Sequence, residues 1–212
     1  MWPGPGAQQR GNEASGVQLV QAGDYLNPLR DVVDVSVHLY RRGLVSGIGG
    51  NVSARVDDRV FITPTMVPLD QVTLKNVAMV DLEGNILRGG RPSSELELHL
   101  EVYRRRPDVN GVVHTHSPYA RAFLVAGIEI EKMEGFRGLG QGNLPVVSYY
   151  PPGSRKLASA CAEMMMNENA AVLENHGVVC AGETVKEALL LAEFIEELAK
   201  TRFIAEVLKF MK

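Results

Sequence analysis

The stretch Val109-Asn110-Gly111-Val112-Val113-His114-Thr115-His116-Ser117-Pro118 decides how the rest of the chain is read. An apolar run bounded by Gly and Pro predicts a short buried strand, along which side chains alternate faces. His114 and His116 then share one face and Thr115 takes the other. Two imidazoles about 6–7 Å apart along a strand can bind one small cation together. Asn175-His176-Gly177 lies in a second apolar run, Ala170 to Cys180, read as a strand over Ala171 to Val179, and offers a third imidazole. Pro92-Ser93-Ser94-Glu95 offers a carboxylate at a predicted helix start. Three His and one carboxylate match the donor set of a catalytic zinc site, since Zn²⁺ takes N and O donors and needs one exchangeable position. The competing reading is structural: a single His in an apolar run is usually a packed core residue. Two imidazoles side by side are costly to bury unless something pairs them. Spacing alone leaves the identity of the metal and the reaction open.

At 212 residues the chain is long enough for one sizeable core and is read as a single catalytic domain over 24–212. Its 45% hydrophobic content and net charge of −3 are those of an ordinary globular protein. No basic stripe points to nucleic acid, and no apolar run reaches the length of a membrane span. The beginning of the chain lacks the basic start and apolar core of a secretory signal, so a cytoplasmic location is expected. Cys161 and Cys180 are read as two buried thiols in a reducing compartment.

Residues 1–23, rich in Gly, Pro, Gln and Ala and including Trp2, are read as a flexible N-terminal leader. Asn27-Pro28 predicts an N-cap with proline at the first helical position, in a helix stopped by Gly43. The glycines of Ser46 to Gly50 suit either a close approach to a ligand or a plain turn. Hairpins are predicted around Asp57-Asp58 and Glu83-Gly84-Asn85, with a loop over Pro64 to Pro68 between them. Ser94 with Glu97, and Thr184 with Glu187, read as capping boxes. The second of these opens a helix reaching Phe210. Arg104-Arg105-Arg106 before Pro107 suits the negative end of a helix dipole. His38 and His99 fall inside helices and are read as surface or packing residues. Pro145 to Tyr149 predicts a strand, and Ser154 to Met166 a helix with Met164, Met165 and Met166 as core filler. The outline is α/β: a single layered domain with a central, mostly antiparallel sheet flanked by helices, without a nucleotide fingerprint or an internal repeat.

These motifs together resemble the class II aldolase/adducin-head family. The matching pieces are Gly50-Asn51-Val52-Ser53, Thr63-Pro64-Thr65, Pro92-Ser93-Ser94-Glu95, Arg106-Pro107-Asp108, Val113-His114-Thr115-His116 and Asn175-His176-Gly177. They follow one another in the family's order from about residue 27 to 200. The resemblance implies a nine-stranded antiparallel sheet in a homotetramer whose active sites lie between subunits. It implies Zn²⁺, or another divalent metal such as Mn²⁺ or Co²⁺, on His114, His116 and His176, with Glu95 as acid/base and fourth ligand. It also implies a substrate phosphate on Asn51, Thr65, Ser93, Ser94 and the backbone near Gly50. The expected reaction is cleavage of a ketose 1-phosphate, such as L-fuculose 1-phosphate, to dihydroxyacetone phosphate and an aldehyde.

Three departures from the family pattern bear on that expectation. Met66 follows Thr-Pro-Thr where the family usually has Gly. The stretch Glu131 to Phe136 lacks a tyrosine found there in relatives that cleave sugar phosphates. The sequence stops at Lys212, short of the tail that closes over the site in such relatives. The first two favour an alternative on the same metal set: decarboxylation of a related acid, which also develops enolate-like charge. A dehydratase or an epimerase is compatible with the same residues. A non-catalytic interaction module like the adducin head, which lacks the metal set, fits less well because all four donors are present.

Overall fold

The structure is a computed structural model, and it describes residues 26–133, 135 and 139–211. The leader expected over 1–23, with Trp2, lies outside them, as do residues 134 and 136 of the stretch that lacks the tyrosine. Eight strands form one sheet: β1 (Asn51–Val56), β2 (Arg59–Ile62), β3 (Ala78–Asp81), β4 (Ile86–Arg88), β5 (Gly111–Thr115), β6 (Val146–Val147), β7 (Ala170–Leu173) and β8 (Gly177–Gly182). Their order is β4-β3-β2-β1-β5-β8-β7-β6. Every neighbouring pair is antiparallel except β6 and β7, which run parallel. The mostly antiparallel sheet is as expected. Among the described residues the sheet has eight strands where the resemblance implies nine, and the strand foreseen over Pro145 to Tyr149 contracts to two residues.

Five helices cover the sheet: α1 (Leu26–Arg41), α2 (Leu96–Arg105), α3 (Pro118–Val125), α4 (Arg155–Met164) and α5 (Val185–Phe210). Strand alternation divides the core into two layers. Val52, Val113, Val172, Val178 and Cys180 pack with residues of α1, α3 and α5. Val60, Val80, Val112, Ala171, Val179 and Ala181 face the other way, onto α2 and α4. Each valine buried in this way contributes about 1.5–3 kcal/mol. His114 keeps the parity of Val112, so its side chain emerges on the α2 side.

Several local expectations change on contact with the structure. Asn27 sits inside the first turn of α1 and is not its cap. Ser94 lies outside α2, whose N-cap is Glu95, and Glu97 pairs with Arg104 at 2.8 Å, so no capping box forms there. The second box is half formed: the Thr184 hydroxyl accepts from the Glu187 N–H, while the Glu187 carboxylate reaches the N–H of Glu183. The C-terminal end of α2 is held from outside, by Arg55 donating to the carbonyls of Tyr103 and Pro107. Arg104 and Arg106 reach instead to the carbonyls of Leu82 and of Met165 and Glu168. Of the three methionines only Met165 is buried; Met164 and Met166 are exposed. His176 is not on a strand. The run Ala171 to Val179 breaks into β7 and β8 around Glu174, Asn175 and His176, with Asn175 at φ 57°, a conformation its short polar side chain tolerates. Among the described residues no helix is long and apolar enough to cross a membrane.

Candidate metal centre

Register explains why three histidines distant in sequence meet. β5 lies between β1 and β8, with His114 opposite Asn51 on one side and Val179 on the other. His116 follows directly after β5, and the β7–β8 turn carries His176 past the same end of the sheet. Nε2 of His114 is 3.1 Å from Nε2 of His116 and 3.3 Å from Nε2 of His176. Four-coordinate Zn²⁺ with bonds of 2.0–2.1 Å holds its nitrogens about 3.3 Å apart, so these two separations are close to edges of one coordination tetrahedron, and the three ligand atoms all lie within 4.8 Å of one another. The Nδ1–H of His114 donates to the Val178 carbonyl at 3.0 Å, which fixes the tautomer with Nε2 free for a cation.

Gly177 and Gly50 make room for this convergence. A Cβ on Gly177 would overlap the Thr115 carbonyl and come within 3.0 Å of the His114 ring and 3.1 Å of the His116 ring. Gly50 has φ 75°, and a Cβ there would overlap Val45 and lie 2.9 Å from the His114 carbonyl.

Glu95, at the start of α2, closes the fourth side. Its Oε2 is 3.3 Å from His114 Nε2 and its Oε1 is 3.6 Å from His176 Nε2. The Asn51 amide donates to Oε2 at 2.9 Å, whereas Oε1 is buried and has no hydrogen-bond partner among the described residues. A buried carboxylate oxygen left unpaired beside three imidazoles is costly unless a cation sits there. Burial raises the Glu95 pKa, but the neighbouring His114 and His176 rings and the Asn51 N–H outweigh it and hold the carboxyl below its usual range. Burial, reinforced by the neighbouring imidazoles, pushes His116 down to about 3 and His176 down to about 4. Both rings are therefore neutral at physiological pH, the form that ligates metal. His114, His116, His176 and Glu95 fit a divalent cation by spacing, tautomer and charge.

The residues expected around a phosphate adjoin this cluster. Thr63 to Thr65 runs against Arg91 to Ser93, through Ser93 N–H to the Thr63 carbonyl and Thr65 N–H to the Arg91 carbonyl. That pairing sets the Thr63 to Thr65 segment beside the segment that leads into Glu95, in which Ser93 is buried and Ser94 exposed. The Ser93 hydroxyl accepts from the Glu95 N–H at 3.2 Å. Asn51 is 4% exposed, and its amide is engaged at both ends, by Glu95 and by His99. Met66, next to Thr65 in the chain, is 73% exposed and stands at φ 61°.

Sequence reasoning missed what lies behind Asn51. His99 is fully buried and sits between Asn51 Oδ1, 2.5 Å from its Nε2, and Ser53 Oγ, 2.7 Å from its Nδ1; Ser53 in turn meets the Tyr103 hydroxyl at 2.7 Å. Burial pushes His99 down to about 3, so it is a neutral ring with one N–H. A signal was present: Glu95, His99 and Tyr103 are spaced by four and share one face of α2. His38 is a surface residue as expected, 3.0 Å from Glu193.

The profile of the family described as Class II Aldolase and Adducin N-terminal domain matches residues 30–203. An L-fuculose phosphate aldolase of Methanococcus vannielii is 39% identical over 176 residues, covering 83% of this chain and 96% of its own. A 3-oxo-tetronate 4-phosphate decarboxylase of Haemophilus influenzae is 35% identical over 178 residues, covering 81% and 85%. The crystal structure of L-fuculose-1-phosphate aldolase from Thermus thermophilus superposes with a TM-score of 0.78 at 27% identity, covering 88% of this chain and 98% of that one. The chain belongs to the class II aldolase and adducin N-terminal domain family, among its aldolase-type lyases.

Proposed function

We propose that this protein is a zinc-dependent aldolase that cleaves a ketose 1-phosphate, such as L-fuculose 1-phosphate, to dihydroxyacetone phosphate and an aldehyde. The observation that carries the reading is the clustering of the His114, His116 and His176 Nε2 atoms beside a buried carboxylate oxygen with no hydrogen-bond partner among the described residues. His114, His116 and His176 would hold the metal, with Glu95 as the fourth donor in the absence of substrate. Zn²⁺ bound there would supply a Lewis acid for the charge that develops on the substrate carbonyl oxygen as the carbon–carbon bond breaks. Glu95 carries the proton at the carbon next to that carbonyl. In cleavage the substrate hydroxyl gives up its proton as it becomes the aldehyde, and Glu95, having taken up one proton, delivers it to that carbon; in condensation the Glu95 carboxylate removes that proton and the new alkoxide takes one up. The hydroxyls of Thr65, Ser93 and Ser94, the remaining N–H of Asn51 and the backbone at Gly50 hold the phosphate and so fix the reacting carbons against Glu95.

Assembly into a homotetramer with sites between subunits belongs to the same reading. It is supported by an apolar strip near the C-terminal end of α5, where Phe203, Ile204, Leu208, Phe210 and Met211 are exposed. Light scattering that gives the mass of a single chain across micromolar concentrations would rule this assembly out.

One observation favours a second reading. Met66, next to Thr65 in the chain, holds a left-handed backbone conformation at the position where the family usually has glycine. A decarboxylase of a related acid would keep the metal donors and Glu95 while binding a differently shaped anion. Elemental analysis, with release of dihydroxyacetone phosphate assayed before and after chelation, tests the first reading. About one zinc per chain with chelator-sensitive release supports it. Zinc without release, together with CO₂ from a hydroxy- or oxo-acid panel, moves the assignment to decarboxylation. Protein that takes up no zinc refutes both.

A further inference from the structure

Behind Glu95 runs a line of buried polar groups, of which the chemistry above gives a task to Asn51 alone. Tyr103, Ser53, His99 and Asn51 are all nearly or fully buried, and each meets the next within hydrogen-bond distance. Their donors and acceptors fit together in one direction. The Glu95 carboxylate can only accept, so Asn51 must present its Nδ2–H to Oε2 and its Oδ1 to the other side. Oδ1 can only accept, so the single proton of the neutral His99 ring is on Nε2. His99 Nδ1 is then an acceptor and takes the Ser53 Oγ–H. The Ser53 oxygen, having donated, accepts from the Tyr103 hydroxyl. Reversing any one link would set two acceptors or two donors against each other in a dry interior, at a cost of about 1–3 kcal/mol.

We propose that the buried chain Tyr103–Ser53–His99–Asn51 is a positioning device for Glu95: it fixes the orientation of the Asn51 amide, and so the rotation in which the carboxylate is set against the three histidines. His99 is its central positioning residue and touches no substrate. Asn51 anchors Oε2, which lies 3.3 Å from His114 Nε2, and so sets Oε1, which has no hydrogen-bond partner among the described residues, 3.6 Å from His176 Nε2 with its lone pairs open to the metal or to a proton. Without a donor on Nε2 of residue 99, the Asn51 amide is free to turn over and set its Oδ1 against the carboxylate, which would swing Glu95 out of place. The inference rests on the reading of Glu95 as the proton-carrying carboxylate.

The test compares two amide substitutions that differ in where they place an N–H. His99→Gln sets a donor near the position of Nε2 and restores the link to Asn51. His99→Asn reaches only the Nδ1 side and breaks that link while keeping a polar side chain. Cobalt or zinc affinity of the metal-free protein, by competition with a chromophoric chelator, is read beside kcat and KM for L-fuculose 1-phosphate. His99→Asn is expected to weaken metal binding by about 10–100-fold and to lower kcat by a similar factor with little change in KM, and His99→Gln to restore both to within about threefold. Equal behaviour of the two variants overturns the proposal, whether both are impaired or both are normal. Should His99→Asn fail to fold, Ser53→Ala and Tyr103→Phe decide. Ser53→Ala frees the His99 tautomer and should lower kcat clearly, whereas Tyr103→Phe leaves the Ser53 proton in place and should be nearly silent; the opposite order overturns the chain's direction. Glu95→Gln is measured alongside. Normal metal affinity and activity there would remove the role given to Glu95 itself, and impairment there with indistinguishable His99 variants would remove the positioning chain alone.

Discussion

Met66 offers the sharpest single test of how backbone conformation and substrate chemistry meet in this protein. Its φ of 61° lies in the left-handed region, where a side chain costs about 1–2 kcal/mol because Cβ crowds the following carbonyl. The side chain is 73% exposed, so little packing offsets that cost and little would be lost by deleting it. Met66→Gly removes the steric penalty but gives the unfolded chain more freedom, worth about 0.5–1 kcal/mol in the other direction. The net expectation is a gain of roughly 0.5–1 kcal/mol, or about 1–4 °C in Tm for a chain of this length. Met66→Ala keeps a Cβ and the same strained backbone, so it should leave Tm near that of the parent. Metal-loaded protein unfolded by heat with circular dichroism detection reads both. If this loop also seats the phosphate, glycine should open it, and inorganic phosphate should protect Met66→Gly at roughly tenfold lower concentration than the parent, the equivalent of about 1.4 kcal/mol. A Tm for Met66→Gly at or below that of the parent, or an equal rise in Met66→Ala, would refute the strain argument. Phosphate protection unchanged in Met66→Gly would separate this loop from the substrate.

Other outcomes follow from the same geometry. His116→Ala should lose stoichiometric zinc and, with it, the stabilisation of about 2.7 kcal/mol that metal at a hundred times its dissociation constant confers, as read by thermal shift with and without zinc; retained protection would mean that the metal sits elsewhere. Gly177→Ala should destabilise by about 1–3 kcal/mol and weaken metal binding at least tenfold, because its methyl group would press on the Thr115 carbonyl and on two ligand rings; urea unfolding and chelator competition measure the two effects. Acid stability of the metal-free protein should carry the mark of His99. Burial holds the folded ring at about 3 against 6.5 for an ordinary imidazole, so between those values the unfolded chain takes up a proton that the folded chain refuses, and stability falls as pH drops through that window. His99→Gln should remove up to about 1.4 kcal/mol per pH unit of that slope, seen in urea midpoints from pH 6.5 downward; parallel curves would mean that His99 is charged in the fold.

How much of this was legible beforehand follows from the range over which each signal acts. The two hairpins, the long last helix and the shared face of His114 and His116 are local, written in turn residues and in periods of two or 3.6, and they stand as expected. His176 is read from the sequence as a candidate donor on a strand, and the structure gives it a different setting. The apolar run from Ala170 to Cys180 looks continuous, and only Asn175 in a left-handed turn shows that it folds back on itself. The Arg104 to Arg106 cluster looked like a cap for its own helix because the sequence does not reveal that Leu82, Met165 and Glu168 would supply nearer carbonyls. The Ser94–Glu97 box failed for a similar reason. The Ser93 hydroxyl, one residue earlier, took the N–H of Glu95, and Arg104 took the Glu97 carboxylate.

His99 is the more instructive omission, because its spacing from Glu95 and Tyr103 was in plain view. Read alone, a histidine inside an amphipathic helix is a packing residue, and its burial agrees with that. What makes it more is the partner strand. Asn51 and Ser53 are two apart on β1, so they point to the same side of the sheet, and that side is the one α2 covers. A period of two on a strand set against a period of four on a helix brings Glu95, Asn51, His99, Ser53 and Tyr103 into one interleaved line. Neither period discloses this by itself; the line exists only once strand and helix are packed face to face. Buried groups that must satisfy one another in this way have few tolerated alternatives, since an apolar side chain in place of Asn51, His99 or Ser53 breaks the line between Glu95 and its far end. The physical demand of satisfying a buried imidazole and the chemical demand of holding a carboxylate steady beside a metal therefore fall on the same five residues.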